Sequence, residues 1–315
     1  IPDGQSMTLD SAGNDFRDTV TFSASSGTIA NITIVDTSAL DFGTLTITGN
    51  LTATVSNGAV TQSGALVVPG TTTISASGQN VTFNNASNNF GTIGVTGATV
   101  ILRDTNAVVL GTSTVSGTYL VTAGGAVTQS GVLAIASNTT TISASGSDVT
   151  LNDASNDFAT IGVTGADVKI RDAGAVALGA STVSGTYLVT AVSGGDITNT
   201  GTLDIEGVAT FTVAGGRSIT VASGSNDFTA TPVFSSGGTI ANVEIKDNSA
   251  LVLAGSALTL SGDLTVTVAG GAVTQTNQLV VPGTTTISAA SQDVTLNHAS
   301  NDFATIGVTG ADVKI

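Results

Sequence analysis

Short runs in which apolar and small polar residues alternate fill almost the whole chain, and Gly, Asn, Asp and Ser separate them. A period of two is typical of β-strands with one buried face, and the separating residues favour turns. No stretch shows the 3.6-residue period of an amphipathic helix, so we predict an all-β chain. Residues 107–172 contain nine such runs: AVVLG, STVSG, TYLVTA, AVTQSG, VLAIA, TTTISA, DVTLN, ATIGVT and DVKIRD.

The runs recur in units of roughly 70 residues, a fixed period that indicates a repeat architecture. Two markers define the units. The first marker is a phenylalanine that ends the string SNDF or a close variant, and the second is an amide side chain that ends a Val/Ile-Thr-Gln/Asn string. The phenylalanine anchors are Phe16, Phe90, Phe158, Phe228 and Phe303, and the amide anchors are Gln62, Gln129, Asn199 and Gln275.

The nine strands of a unit divide into three groups of three. Each group has about 22–23 residues, which is within the size range of one repeat of a solenoid and matches one coil of a three-sided parallel β-helix. Six inward aliphatic side chains stabilise a coil by roughly 9 to 18 kcal/mol, whereas ordering its residues costs more, at about 1 to 2 kcal/mol each. Coils are therefore expected to stack and share a core. We predict a right-handed parallel β-helix, or β-solenoid, with three strands per coil.

The composition is uniform from end to end, with no linker-like stretch. An array of antiparallel sandwich modules is the alternative architecture, but it predicts Pro/Gly-rich linkers between modules. We therefore expect a single continuous solenoid over residues 1–315. Since the chain starts at Ile1 and stops inside a charged strand, we also expect it to be a fragment of a longer chain.

The charge balance argues against several classes of partner. The chain has 22 acidic and 7 basic residues and a net charge of −15, which opposes the phosphate neutralisation that nucleic-acid binding requires. The apolar runs are far shorter than the ~20 residues of a membrane-spanning helix. With no Cys and one His, the chain offers little for thiol or metal catalysis. We expect no nucleic acid, no membrane span, no cofactor, no metal and no enzymatic activity.

The repeated text resembles a known family over essentially the whole chain. The stretch GGAVTQSGVLAIASNTTTISASGSDVTLNDASNDFATIGVTGADVKIRD is similar to the β-strand repeats of filamentous-haemagglutinin-like exoproteins, the giant bacterial surface adhesins. The resemblance implies a right-handed β-helix, export to the cell surface, and a role in adhesion, biofilm or display. The family's amino-terminal secretion domain and a receptor-binding tip are not recognisable in this chain.

Two kinds of polar residue at the turns are candidates for chemistry. His298 is the single histidine, and Asp153 and Asn85 stand at its position in other units, so we predict a solvated turn residue. The aspartates before the anchor phenylalanines could form an Asx turn at a corner or a weak calcium site. Asn89 replaces the carboxylate in one unit, which disfavours calcium, so we predict the turn. These aspartates are Asp15, Asp157, Asp227 and Asp302.

The charged strand Asp167–Asp172 holds several of the basic residues. A polysaccharide-cleaving enzyme needs converging carboxylates. Alternation, however, places Val168 and Ile170 on the inner face and Asp167, Lys169 and Arg171 on the outer face. We predict a solvated wall with weak ion pairs. Equivalent residues elsewhere are Arg103, Asp104, Glu244, Lys246 and Asp247.

The anchors themselves are expected to be structural. If a unit is three coils long, successive phenylalanines lie ~14 Å apart, so each should fill a wide corner of every third coil. The amide anchors should satisfy backbone groups at a turn rather than form an amide ladder. A repeated ligand groove and a threonine-rich ice-binding face are the alternatives.

Units of two lengths occur along the chain, and they differ between each anchor Phe and the aspartate of the next charged strand. This segment is long in two units, Phe16–Asp36 and Phe228–Asp247, and short in two others, Phe90–Asp104 and Phe158–Asp172. The long units thus carry an insertion that contains GTIAN. Insertions in solenoids often lie on the binding side, so the insertion is the expected contact surface.

The sequence as a whole favours a structural role at the cell surface. We expect a stalk or filament segment of a secreted adhesin, whose partners are neighbouring repeats and other copies end to end. Host or matrix glycans are further candidate partners. A polysaccharide-binding or polysaccharide-cleaving β-helix is the alternative.

Overall fold

The computed structural model describes residues 1–315 and contains strands and turns but no helix. It therefore contains no helix long and apolar enough to cross a membrane. The chain divides into two compact structural units, a first unit (Ile1–Ala159) and a second unit (Thr160–Ile315), each longer than one ~70-residue sequence repeat. Its parallel strands stack as a β-solenoid of about 15 turns with about 21 residues in each.

The strands are short, and most contain two to five residues. In chain order they are β1 (Met7–Leu9), β2 (Ile32–Asp36), β3 (Leu40–Phe42), β4 (Leu45–Thr46), β5 (Leu51–Val55), β6 (Val60–Gln62), β7 (Leu66–Ser75), β8 (Val81–Phe83), β9 (Asn89–Gly97), β10 (Val100–Asp104), β11 (Val108–Leu110), β12 (Ser113–Val115), β13 (Tyr119–Ala123), β14 (Val127–Gln129), β15 (Leu133–Ser143), β16 (Val149–Leu151), β17 (Asp157–Gly165), β18 (Val168–Asp172), β19 (Val176–Leu178), β20 (Ser181–Val183), β21 (Tyr187–Ala191), β22 (Ile197–Asn199), β23 (Leu203–Ile205), β24 (Ala209–Val213), β25 (Ile219–Val221), β26 (Asp227–Phe228), β27 (Val233–Ser236), β28 (Val243–Asp247), β29 (Leu251–Leu253), β30 (Leu258–Thr259), β31 (Leu264–Val268), β32 (Val273–Gln275), β33 (Leu279–Ser288), β34 (Val294–Thr295), β35 (Asp302–Thr309) and β36 (Val313–Lys314).

In the first unit, each strand pairs in parallel with the strand one coil before and one coil after it. One such ladder runs through β3, β6, β8, β10, β13 and β15. The parallel ladder confirms the predicted fold class, with coils slightly shorter than expected. The register of this ladder is Leu40, Val60, Val81, Val100, Tyr119 and Thr140.

The second unit repeats this arrangement. Strands β22, β25, β28, β31, β33 and β35 form one continuous parallel ladder. In β31 the burial alternates strictly, with Leu264, Val266 and Val268 buried and the two threonines between them partly exposed. This is the pattern expected from a strand with one face on a core.

The number of strands per repeat differs from the prediction. Long strands turn a corner: β7 pairs with β4 through Leu66 and Val67, and with β5 through Thr72–Ser75. The start of β9 is also a strand segment, because Asn89 and Phe90 pair with β7. Counting these segments, ten follow Gln62 up to and including β14, which ends at Gln129. The prediction of nine strands and three coils per unit is therefore wrong. With three segments per coil, ten segments make three and a third coils.

Consecutive amide anchors consequently lie on different faces within each unit. In the first unit, Gln62 pairs with Phe42 in β3, whereas Gln129 pairs with Leu110 in β11, and β3 and β11 belong to different ladders. In the second unit, Asn199 belongs to the ladder of β19, β22 and β25, and Gln275 belongs to the separate sheet of β29, β32, β34 and β36. A repeat therefore advances the chain by one face beyond three full coils.

Candidate functional site

A buried pair of amide side chains closes the corner of the first complete repeat. The fully buried Asn88 donates to Gln62 Oε1 (2.8 Å) and accepts from Gln62 Nε2 (2.8 Å) through its Oδ1. The same Oδ1 accepts the N–H of Leu66 (2.9 Å), and Nδ2 also donates to the carbonyl of Phe83 (3.2 Å). One asparagine thus ties together backbone groups of two successive coils.

An equivalent amide pair forms at the same corner of each later repeat. Asn156 pairs with Gln129 at 2.9 Å in both directions, and Asn301 pairs with Gln275 at 2.8 Å in both directions. In the third repeat the shorter Asn199 donates to Asn226 (3.0 Å). The same corner group is therefore present in all four repeats.

The predicted turn role of the amide anchors agrees with their geometry, but their partner was missed. Each anchor nitrogen donates to the backbone carbonyl two residues later, that of Gly64, Gly131, Gly201 or Asn277. The missed partner is the asparagine two positions before each anchor phenylalanine. Its recurrence two positions before the anchor phenylalanine is the signal in the sequence that identifies it.

The phenylalanine anchors supply the apolar part of the corner. Phe90, Phe158 and Phe228 are at most 2% exposed, whereas Phe16 and Phe303, in terminal coils, are half-buried. Phe90 stacks against Phe83 with ring centroids 6.0 Å apart. Because the anchor packs on aromatic and aliphatic neighbours, it presents no exposed face to a ligand.

A buried aspartate holds the backbone at each anchor. Asp104 accepts the N–H of Phe90 (2.6 Å) through one oxygen and the N–H of Asn106 (2.9 Å) through the other. The equivalents Asp36, Asp172 and Asp247 are all fully buried. The predicted solvated wall is therefore wrong for Asp104, Asp172 and Asp247. The alternation that places Val168 and Ile170 inside also places Asp172 inside, because it has the same parity.

Burial changes the ionisation of these carboxyls. Desolvation raises the pKa of Asp104 above its usual value, although the two backbone N–H donors oppose the rise. The pKa of Asp247 is raised for the same reason, with a smaller contribution from Asp227. Exposed Asp167 behaves oppositely, since hydrogen bonds from the backbone and hydroxyl of Thr186 lower its pKa.

The corner turn is made by a different residue from the one predicted. Asn85 and Asp153 accept the N–H two residues later (2.9 Å), and the exposed His298 accepts that of Ser300 through Nδ1 (3.2 Å). The Asx turn predicted at Asp15, Asp157, Asp227 and Asp302 is therefore wrong. The turn forms instead at Asp153, four positions before Asp157, and His298 makes the same contact four positions before Asp302. The side chains include no group of three or more His, Cys, Asp or Glu that could hold a metal ion.

The charged strand has the predicted inner and outer faces. Val168 and Ile170 are 1% exposed, whereas Lys169 is exposed and Arg171 is half-buried. In β28, Glu244 is likewise exposed while Ile245 is buried. These strands present charges along a wall and not around a cleft.

The insertion of the second long unit opens the sheet. Strand β27 pairs with β24, and β30 pairs with β33. Between β27 and β30 the pairing is reduced to an isolated bridge from Ile240 to Leu260. The resulting cavity of about 220 Å³, here called the slot, is lined by Phe234, Ser235, Ser236, Gly238, Ile240, Ser256, Ala257, Leu258 and Thr259.

The repeats match one family of known proteins. The family is described as repeats of unknown function (DUF5649), and it matches residues 29–96, 97–164, 165–235 and 240–309. Each matched segment contains one amide anchor and one anchor phenylalanine, whereas residues 236–239 of the insertion lie outside the matches. Comparisons with curated proteins and with solved structures gave no match. Since the four segments span most of the chain, the chain belongs to this family.

Proposed function

We propose that this member of the DUF5649 repeats is a structural segment of a secreted bacterial surface adhesin, similar to filamentous-haemagglutinin-like exoproteins. Its role is to extend and display other parts of the parent protein, without catalysis. The observation that supports this proposal is that the residues that recur in every repeat make their contacts within the chain. The buried asparagine, its amide partner, the buried aspartate and the phenylalanine all bind or pack against neighbouring coils.

A repeated binding module would leave some of its recurring polar groups facing solvent. Here the amide anchors, the buried asparagines and the buried aspartates bind backbone N–H and C=O groups, as a stacked solenoid requires. The cysteine-free composition suits export of an unfolded chain, because no disulfide can form before the chain is exported. These features support a spacer role at the cell surface.

Deletion of one matched repeat from the parent protein tests this proposal. Removing residues 97–164 joins equivalent positions of neighbouring repeats, so the shortened chain should fold and remain accessible to protease on intact cells. Attachment by other parts of the parent should persist. Loss of attachment with normal surface exposure would show instead that the repeat itself binds. A parent protein found only inside the cell would contradict the proposed location.

A further inference from the structure

A turn of the first repeat contains the only Asn-Gly sequence of the chain. Asn57 and Gly58 lie between β5 and β6, and the other three repeats have Gly-Gly at this position. An asparagine side chain reacts with the main chain most readily before glycine, because glycine has no side chain to hinder the approach to its nitrogen. Asn57 is exposed, so water reaches its amide, which is free to turn toward that nitrogen.

The next coil places a hydrogen-bond acceptor on this nitrogen. The N–H of Gly58 donates to Oε1 of Gln79 at 3.0 Å. The nitrogen attacks only after it has lost its proton, and a carbonyl acceptor stabilises the protonated N–H form. Gln79 thus holds Gly58 in its unreactive state. The backbone of Gln79 pairs separately with Ala76 and Ala98, so a change of its side chain leaves those backbone bonds in place.

We propose that Asn57 is a site of spontaneous modification whose rate is set by Gln79. The Gly58 nitrogen forms a bond to Cγ of Asn57 as the bond from Cγ to the amide nitrogen breaks, and ammonia leaves with the proton of the Gly58 N–H. Water then opens the resulting cyclic imide at either carbonyl. The product is an aspartate or an isoaspartate, whose main chain runs through the former side chain and is longer by a methylene.

The turn has no room for the longer main chain. Gly58 has a φ of +101°, and a Cβ on it would lie 2.6 Å from the backbone nitrogen of Ala39 in the preceding coil. Beside this contact, Leu40 donates its N–H to the carbonyl of Ala59 (3.0 Å). An isoaspartate at position 57 must shift Gly58 against Ala39, which weakens the pairing of β3 with β6. The modification therefore loosens the first repeat as the molecule ages.

The rate is tested on the whole 315-residue chain, incubated at neutral pH and followed by peptide mass spectrometry. We expect Asn57 to react before any other asparagine. Gln79→Met should accelerate the reaction roughly 3- to 10-fold, the effect of losing a hydrogen bond, whereas Gln79→Glu keeps an acceptor and should react slowly. Asn57→Gly, which copies the other repeats, should abolish the product. In urea-unfolded chains Gln79→Met should have no effect, because the contact is absent.

A second measurement tests the loosening. The isoaspartyl form, identified by isoaspartate methylation, should exchange the Leu40 N–H with solvent faster than Asn57→Asp does, since that variant has the same charge on an ordinary main chain. Equal exchange would refute the loosening. The proposal is overturned if another asparagine reacts first, or if Gln79→Met in the folded state reacts no faster than the unchanged chain. None of these results depends on the structural role or on the repeat-deletion test.

Discussion

At each repeat corner a side chain takes over hydrogen bonds that a tight turn cannot supply from its own backbone. Asn156 accepts the N–H of Leu133 (3.0 Å) and exchanges two bonds with Gln129. A buried polar network of this kind stabilises only when all its members are paired. Removal of one member leaves the others buried and unpaired.

Asn156→Ala should therefore lower the free energy of unfolding by more than one ordinary hydrogen bond contributes. The buried Leu133 N–H and the Gln129 amide lose partners, at about 1 to 3 kcal/mol for each group left unsatisfied. Urea unfolding followed by circular dichroism measures the loss. His298→Ala is the control and should stay within about 0.5 kcal/mol, because His298 is exposed. Equal effects of the two variants would contradict the buried network.

Phe158→Ala should cost about 3 to 5 kcal/mol, since it empties a fully buried aromatic site. The same change at half-buried Phe303 should cost clearly less, because less area returns to water. Thermal melts of the two variants provide the comparison. A larger loss at Phe303 would argue against the placement of the anchors.

The buried carboxyls predict a pH dependence with a defined sign. Folding raises the pKa of Asp104 and Asp247 above the ordinary 3.8. Their favourable contribution is thus complete below that value, and it is lost as pH rises through the raised pKa of the folded state. The slope of stability against pH just above 3.8 should flatten in Asp104→Asn. Carboxyl-carbon NMR titration of Asp104 with a midpoint at or below 3.8 would refute this.

Strands and their inner faces could be predicted because alternation is a local property of the chain. Val168 and Ile170 lie inside as expected. The two-residue segment at Asn89 and Phe90 could not be recognised, because it is a strand only through its pairing with Val67 and Val68. The slot was equally invisible, since missing pairing between β27 and β30 depends on segments that belong to successive coils and are distant along the chain.

Successive coils approach each other closely where β9 pairs with β11. Ile93 pairs with Leu110 of the next coil, and a Cβ on neighbouring Gly94 would lie 2.6 Å from the carbonyl of Thr112. Gly94→Ala should therefore destabilise the chain by about 1 to 3 kcal/mol through overpacking. The equivalent Gly307 has no atom within 4 Å of such a Cβ, so Gly307→Ala should be nearly neutral. Chemical denaturation of both variants checks the contrast, and equal losses would disprove the close approach.

In the 315-residue chain taken by itself, the last strands, β35 and β36, each have an unpaired edge. Val313 and Ile315 are 47% and 57% exposed, and the inward side chains of β35 are only half-buried. An uncovered strand edge beside exposed apolar side chains favours pairing with another copy.

The isolated 315-residue chain should therefore associate, and the effect should increase with concentration in sedimentation velocity. Changing Val313→Lys together with Ile315→Asp should reduce association. Val208→Lys, at an exposed wall residue of similar exposure (41%), should not. A monomer at all concentrations would rule out this association.

The extra third of a coil in each repeat has an immunological consequence. An antibody that recognises one repeat finds the matching epitope of the next repeat in the same unit on a different face. Near-identical repeats thus do not build a flat array of identical epitopes. Bivalent capture gains avidity only when both arms can reach their epitopes together. Adding repeats should therefore increase the number of epitopes more than it increases the avidity of binding to a flat receptor surface.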